Sequence, residues 1–539
     1  MPVLRFKQWR LSDLTGLSPE ELKEALFRLK SESEEAEGYF VVEVNADRPD
    51  MFIGEGLARA VRGIMGEEGW REPLSERSGV KVEAEQVPTR PYIVAAVVYG
   101  VNVDSEDFLE ELIQFQEKLN EGLGRRRKKA AIGFHDLSKL PSREIVYKMD
   151  RIDREFQPLG GGRKSIKEVL EETEKGFQYG AIARYGELHP VLEAGHEIIA
   201  VPPVLNSELT RVEVGTRDLF IDVTATNLET ASVILDVLTS NLAERGGRIG
   251  KVLVAGAEYP LLEQKEIRVS EREVVGSLGA KMSLEEAAAV LRRMRYNVDV
   301  AGEQLVVKVP PFRVDVFKPI DLAEDIAIYV GYENLGPERP RELYALRGSY
   351  DRLSLLERRL RSLLVGMGFT EVMQLSLTSP SLLEAMGLRE AAVEVLNPVQ
   401  IEYSVLRPNI ASTMLRMFSE ASHVSKPVKV FEIGPVAFRS RSGKVVDEEH
   451  LAMAIMDEEV SYEQIQAPLY SALRVLGIEF SARPGESSIT MVGRTGELLV
   501  RGEVIGFLGE VRPEILISVG LEYPVAVAEL NLTLLSKLT

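Results

Sequence analysis

Residues 309–335 read VPPFRVDVFKPIDLAEDIAIYVGYENL, and the reading of the whole chain starts from them. Gln304 to Val309 alternate as a strand, and Pro319 stands where a helix begins, since its fixed φ suits the first helical position. On that helix Asp321, Glu324 and Asp325 fall at i, i+3 and i+4, which predicts three carboxylates on one face. Asp315, near the end of the preceding strand, is placed to join them. Four converging carboxylates without His or Cys suit a hard, oxygen-seeking cation, Mg²⁺ before Zn²⁺. The plainer alternative is that acids favour a helix N-terminus, where they complement the dipole.

Working outward, Ser283-Leu284-Glu285-Glu286 is a capping box, so residues 263–340 read as an α/β unit closed by the Pro-rich GPERPRE, Gly336 to Glu342. Before it, Ser18-Pro19-Glu20-Glu21 starts a helix whose Leu22, Ala25, Leu26 and Leu29 recur at helical spacing. A strand, YFVVEV from Tyr39, runs into NADRPDMFIGEGLARAVRG, where Arg48 and Arg59 read as structural. Gly66 to Pro91 is charged and contains Gly and Pro, as a linker with one strand would. These segments make a unit over residues 1–85. A second, over 86–262, opens with the β-rich PYIVAAVVYGV and ends after an apolar-periodic helix from about Leu228. The last, over 341–539, pairs a leucine-periodic helix (Leu353, Leu356, Leu360, Leu363, Leu364) with many strands. The fold class is multidomain α+β.

The 539 residues are ample for several cores. Acidic residues outnumber basic ones, 84 to 65, so indiscriminate nucleic-acid binding is disfavoured while a local basic patch stays open. With no Cys there is no disulfide, thiolate nucleophile or Cys-ligated metal, and five scattered His disfavour a His-rich site. The N-terminus lacks a signal-peptide core, and the longest apolar run, Ile93 to Tyr99, is too short to cross a bilayer. A cytoplasmic protein is expected.

In LFIDVTATN, Leu219 to Asn227, Leu219, Ile221, Val223 and Ala225 face one side of a strand, Asp222, Thr224 and Thr226 the other. The polar side reads either as a solvated face or as a carboxylate beside hydroxyls, able to hold a ligand hydroxyl. Arg125-Arg126-Arg127-Lys128-Lys129 is a solvated loop or a phosphate contact. His189 and His196 flank a predicted turn and are expected at the surface.

Several of these signatures, in order along nearly the whole chain, resemble the phenylalanyl-tRNA synthetase β subunits of archaea and eukaryotes. NADRPDMFIGEGLARAVRG resembles the N-terminal signature of that family; IGFHDLSKL (Ile132 to Leu140) and DLFIDVTATN resemble its editing region. FEIGPVAF (Phe431 to Phe438) and GEVRPEIL followed by LEYPVAVAEL, within Gly509 to Leu530, resemble its C-terminal synthetase-like module. The resemblance implies that Asp315, Asp321, Glu324 and Asp325 hold a structural Mg²⁺ at an α–β interface. It implies an editing pocket over 86–262 that hydrolyses mischarged Tyr-tRNA(Phe), with Asp222 and Thr224 as pocket residues and Asn206, Ser207 and His135 as further candidates. An apolar pocket rejects one added hydroxyl only about 10²-fold, which is why a second, hydrolytic site is expected. Ala200 stands where a serine hydroxyl is expected in many relatives, which puts the substrate-anchoring network in question.

The last unit resembles a class II synthetase fold, GMGFTEVMQLSLTSP (Gly366 to Pro380) falling at its first motif. Adenylate chemistry needs an Arg after the aromatic of the second motif, because negative charge builds on the α-phosphate. Here Phe431 is followed by Glu432-Ile433-Gly434, and Arg512 does not fit the third motif, so this module is expected to lack synthetic activity. The implied function is a β subunit that scaffolds an α subunit binding ATP and phenylalanine, as an α₂β₂ heterotetramer, contacts tRNA(Phe) and edits. The rivals are a structural tRNA-binding subunit whose editing is lost, and a stand-alone Mg²⁺-dependent hydrolase.

Overall fold

The computed structural model describes residues 2–279, 282–335, 348, 351–421, 423–440 and 442–539. They form two compact units, Met1–Arg339 and Pro340–Thr539. The Pro-rich stretch 336–342 lies outside the described residues. Among the described residues no helix is long and apolar enough to cross a membrane.

The first unit opens with a three-stranded sheet in the order Val3–Lys7, Tyr39–Glu43, Glu32–Ala36. The helix Pro19–Arg28 begins at Ser18 with a complete capping box, and Leu22, Ala25 and Leu26 are its buried stripe. In the RPD signature Arg48 grips Asp50 through two hydrogen bonds of 2.9 Å, while Arg59 lies 3.6 Å above the Phe312 ring. Both arginines are therefore structural.

The centre of this unit is a ten-stranded mixed sheet. Its run is Leu205–Asn206, Glu197–Val201, Leu188–Ala194, Glu144–Arg151, Ser75–Ala84, Arg248–Val254, Tyr92–Tyr99, Leu219–Ala225, Ala130–Asp136, and the tenth strand, Ala257–Tyr259, pairs with Arg248–Val254 off this run. The charged segment read as a linker with one strand does hold one, Ser75–Ala84, but as an interior strand of this sheet, parallel to both neighbours. Its only buried apolar side chains are Val80 and Val82, so the apolar signal was two valines in a charged background. The helix Leu228–Ala243, capped by Asn227 accepting the Thr230 N–H at 2.8 Å, packs on Tyr92–Tyr99 and Leu219–Ala225. It covers the face presented by Leu219, Ile221, Val223 and Ala225, all fully buried.

A third sheet of the same unit runs Lys265–Ser270, Gln304–Val309, Asn297–Ala301 and carries the helices Leu284–Arg293 and Pro319–Val330. Ser283 and Glu286 form the capping box that their spacing predicts.

The second unit is built on a seven-stranded sheet. Its order is Thr370–Glu371, Val428–Arg439, Val445–Met456, Val525–Asn531, Glu503–Val511, Thr490–Val500, Ser481–Pro484, antiparallel except for the first pair. The helix Arg352–Gly366 buries Leu356, Leu360 and Leu364 in this unit's core.

Candidate functional site

The polar face of Leu219–Ala225 is not solvated: Asp222 and Thr224 are both buried. Asp222 sits directly opposite Gly133 of the neighbouring strand and lines a cavity of about 160 Å³. The opposite wall is the segment Ala200–Asn206, where Ala200 pairs with Asn206. Behind Asp222, His135 Nε2 lies 3.0 Å from its Oδ2, and His135 Nδ1 lies 2.7 Å from the Thr210 hydroxyl. A carboxylate only accepts, so the network assigns the imidazole proton to Nε2, with the Thr210 hydroxyl donating to Nδ1. No other side-chain hydrogen bond ties down this carboxylate among the described residues, which leaves its second oxygen available to a ligand donor.

The structure brings together Asp222 and Asn206 on the cavity wall; the Asn206 amide is fixed by donating to the Phe134 carbonyl at 3.0 Å. The other pocket assignments need correction. Thr224 does not reach the cavity: its hydroxyl accepts from Arg90 Nε at 3.3 Å, and Arg90 also donates to the Thr224 carbonyl at 2.6 Å. Ser207 turns away to donate to the Gln157 carbonyl at 2.8 Å. His135 is fully buried and stands behind Asp222 as its orienting partner. His189, expected at the surface, is buried too; loss of water lowers its pKa to about 4, so it is neutral at pH 7. His196 is exposed, as expected.

Two residues of this site had no signal that singled them out in the sequence. Gly133 is required because a Cβ there would lie 2.1 Å from Asp222 Oδ2 and 3.1 Å from His135 Nε2. Its role depends on cross-strand register, which the residues of its own strand do not reveal. Arg127, read as one member of a basic run, is buried and donates to the carbonyls of Pro203 at 2.9 Å and Val204 at 3.0 Å. It also pairs with Glu117 and lies 4.5 Å over the Tyr179 ring. Arg90 closes the arrangement by donating to the Arg127 carbonyl at 2.9 Å; burial lowers its pKa to about 10, and it stays charged at neutral pH.

Asp315, Asp321, Glu324 and Asp325 all line a second cavity, of about 350 Å³, with Lys30 and Arg48. The all-oxygen donor set suits a hard cation. The arrangement in this chain corrects the expected convergence, however: among the described residues no three acidic or His side chains come together as a metal site. Arg313 forms a fork onto Asp315 at 2.9 and 2.6 Å and reaches Asp325 at 2.6 Å, where Tyr296 also donates. Asp321 caps its helix by accepting from the Phe317 and Lys318 N–H groups at 2.7 and 2.8 Å, and Glu324 pairs with Lys30. Spacing counted acids alone, and the cations that meet them come from elsewhere in the chain.

In the second unit Glu432 is buried on Val428–Arg439 and paired with Arg407 at 2.7 Å. Burial raises the Glu432 carboxyl against the lowering effect of Arg407. A Cβ on Gly434 would sit 2.8 Å from Arg407 Nη2, so glycine leaves room for that guanidinium. Arg512 donates to the carbonyls of Thr490 at 2.8 Å and Ser487 at 2.9 Å. Glu432, Arg407 and Arg512 are all committed to contacts within the fold.

Residues 337–532 match the family model for the phenylalanyl-tRNA synthetase beta chain CLM domain, and residues 267–332 match the tRNA synthetase B5 domain. The chain is 52% identical to the phenylalanine–tRNA ligase beta subunit of Aeropyrum pernix and 43% identical to that of Metallosphaera sedula, each match covering 100% of both chains. The crystal structure of an N-terminal fragment of the phenylalanyl-tRNA synthetase beta subunit from Pyrococcus horikoshii superposes with a TM-score of 0.58 at 33% identity. That match covers 61% of this chain and 100% of the fragment. Matched end to end by such relatives, and carrying both domain signatures in order, this chain belongs to the phenylalanine–tRNA ligase beta subunit family.

Proposed function

We propose that the cavity under Asp222 hydrolyses Tyr-tRNA(Phe), and that the chain otherwise serves as scaffold for an α subunit that binds ATP and phenylalanine in a cytoplasmic α₂β₂ enzyme. The observation that carries the editing reading is the buried Asp222 carboxylate, backed by His135 and Thr210 and with one oxygen uncommitted. A tyrosine phenol donates to such an acceptor; phenylalanine leaves it desolvated and unpaired. A site built around a hydroxyl discriminates by about 10⁴-fold or more for that reason. The cavity lining holds no Ser or Thr, so the nucleophile in this reading is water, and holding ester and water together supplies much of the rate. Asn206 is the candidate to orient the ester.

The corresponding layout is an N-terminal domain over 1–85, an editing domain over 86–262, a metal-bearing domain over 263–340 and a class II synthetase-like module over 341–539, with the first boundary moved ahead of Ser75–Ala84, because that strand lies inside the sheet of the editing domain. In that module the Glu432–Arg407 pair takes the place of an α-phosphate clamp, which supports a scaffolding role without adenylate formation. Contacts with tRNA(Phe) are part of the same reading.

The direct test is deacylation of Tyr-tRNA(Phe) beside Phe-tRNA(Phe), with the chain alone and with the α subunit. Asp222→Ala is expected to abolish the preference for the tyrosyl ester. An unchanged preference would remove the assignment. Ala200, which carries no hydroxyl into the cavity, favours a second reading in which editing is lost and tRNA binding remains. Intact Tyr-tRNA in both assays would select it. Activity that EDTA abolishes and Asp321→Ala removes would instead select a Mg²⁺-dependent hydrolase.

For Mg²⁺ the proposal is that Asp315, Asp321, Glu324 and Asp325 hold the ion only in the assembled enzyme, where Lys30 leaves Glu324 and Arg313 leaves Asp315 and Asp325. Titrating Mg²⁺ calorimetrically into the isolated chain is expected to give no saturable heat, whereas the complex gives a binding isotherm that Asp321→Ala eliminates. Saturable binding to the isolated chain would contradict it.

A further inference from the structure

Arg125, Arg126 and Arg127 have φ of +48°, +52° and +62°, and the Lys128 N–H donates to the Arg125 carbonyl at 3.2 Å. Three successive L-residues thus make one left-handed turn, a conformation that Cβ sterics oppose and that glycine or asparagine adopts readily. Arg127 explains the turn's position but not its composition. Its inward bonds to Pro203 and Val204 need one arginine, yet the two residues before it bear the same strain and are arginines as well. Their side chains are exposed, as is that of Lys128. Among the described residues no carboxylate pairs with Arg125, Arg126 or Lys128. Several cations at the surface of this unit do carry a carboxylate partner, as in Arg163–Glu155, Lys164–Glu172 and Arg184–Glu171. On a chain of net charge −19, uncompensated cations held in a strained turn mark the place where a polyanion meets it. Arg127 is itself a wall of the cavity under Asp222, and the exposed Lys175 lines the same cavity.

We infer that the left-handed turn Arg125–Lys128 binds backbone phosphates of an RNA strand whose 3′ end enters the cavity under Asp222. The guanidinium fork matches phosphate oxygens in pairs, and the turn holds two such forks at the cavity wall, outside it. The inference rests on the proposed hydrolysis of an aminoacyl-tRNA in that cavity.

The test uses the full chain, a fluorescein-labelled single-stranded RNA ending in CCA, and a poly-glutamate peptide of equal charge, followed by anisotropy across a NaCl series. Arg125→Gln/Arg126→Gln is expected to weaken RNA binding about tenfold at low salt. It should also flatten the slope of log K against log salt by about 1.4, at about 0.7 per lost contact on a single strand. Arg125→Gly/Arg126→Gly relieves the strain, so it should melt no lower than the parent while losing the same affinity, which separates lost charge from lost fold. In Tyr-tRNA deacylation the Gln variant should raise KM and leave kcat in place. Parent-like affinity and salt slope in the Gln variant would overturn the inference, as would poly-glutamate binding equal to that of RNA. If the parent hydrolyses no Tyr-tRNA yet the RNA slope still flattens in the variant, the hydrolytic reading falls and the phosphate site stands.

Discussion

Arg313→Met is expected to destabilise the first unit by about 3–5 kcal/mol, the usual cost of removing one partner from a buried ionic cluster. Arg313 is the shared cation of Asp315 and Asp325, and its ring of contacts includes Tyr296, 5.1 Å away. Burial works against the charged guanidinium, yet the two carboxylates hold it well above its ordinary pKa, Asp325 contributing most. Methionine has a similar reach and no charge, so the variant leaves Asp325 buried with only the Tyr296 hydroxyl donating to it. Chemical denaturation followed by a probe in this unit checks the loss. Arg313→Met/Asp325→Asn should recover a substantial part of it, because the two residues interact directly and their effects do not add. A single variant as stable as the parent would show that the cluster contributes nothing to the fold.

Gly133→Ala is expected to cut Tyr-tRNA(Phe) deacylation by about 10²-fold while leaving the melting temperature close to that of the parent. The new methyl would meet Asp222 Oδ2 at 2.1 Å, and the backbone of Gly133 is ordinary strand that alanine accepts. The cheapest relief is rotation of the Asp222 carboxylate away from His135, and a displacement of about 1 Å at a reacting centre costs on this order. Single-turnover deacylation beside thermal melting distinguishes a misplaced carboxylate from a damaged sheet. Full activity in the alanine variant would mean that the Asp222–His135 contact does not set the rate.

Much of the architecture was legible along the chain. Capping boxes at Ser18 and Ser283, the apolar stripe of Pro19–Arg28 and the two-faced alternation of Leu219–Ala225 are local signals, carried by residues within a turn or two of one another. The strand Ser75–Ala84 was nearly hidden for the opposite reason, since its place inside the sheet is decided by its neighbours while its own residues are mostly charged.

The candidate site divides along the same line. Asp222 and Asn206 could be named from residue type and family likeness, because a carboxylate and an amide bring their chemistry with them. Whether that chemistry faces a cavity could not. Thr224 occupies the same strand face as Asp222, yet Arg90, 134 positions away, takes its hydroxyl. Asp321 and Glu324 share the spacing that suggests a metal, yet backbone N–H groups and a lysine 294 positions away from Glu324 engage them. Helix starts, strand faces and the presence of reactive groups were settled by the sequence, since period and residue type are local properties. Which of those groups are neutralised, buried or free is a matter of long-range partners, and only the packed chain brings those partners within hydrogen-bonding distance.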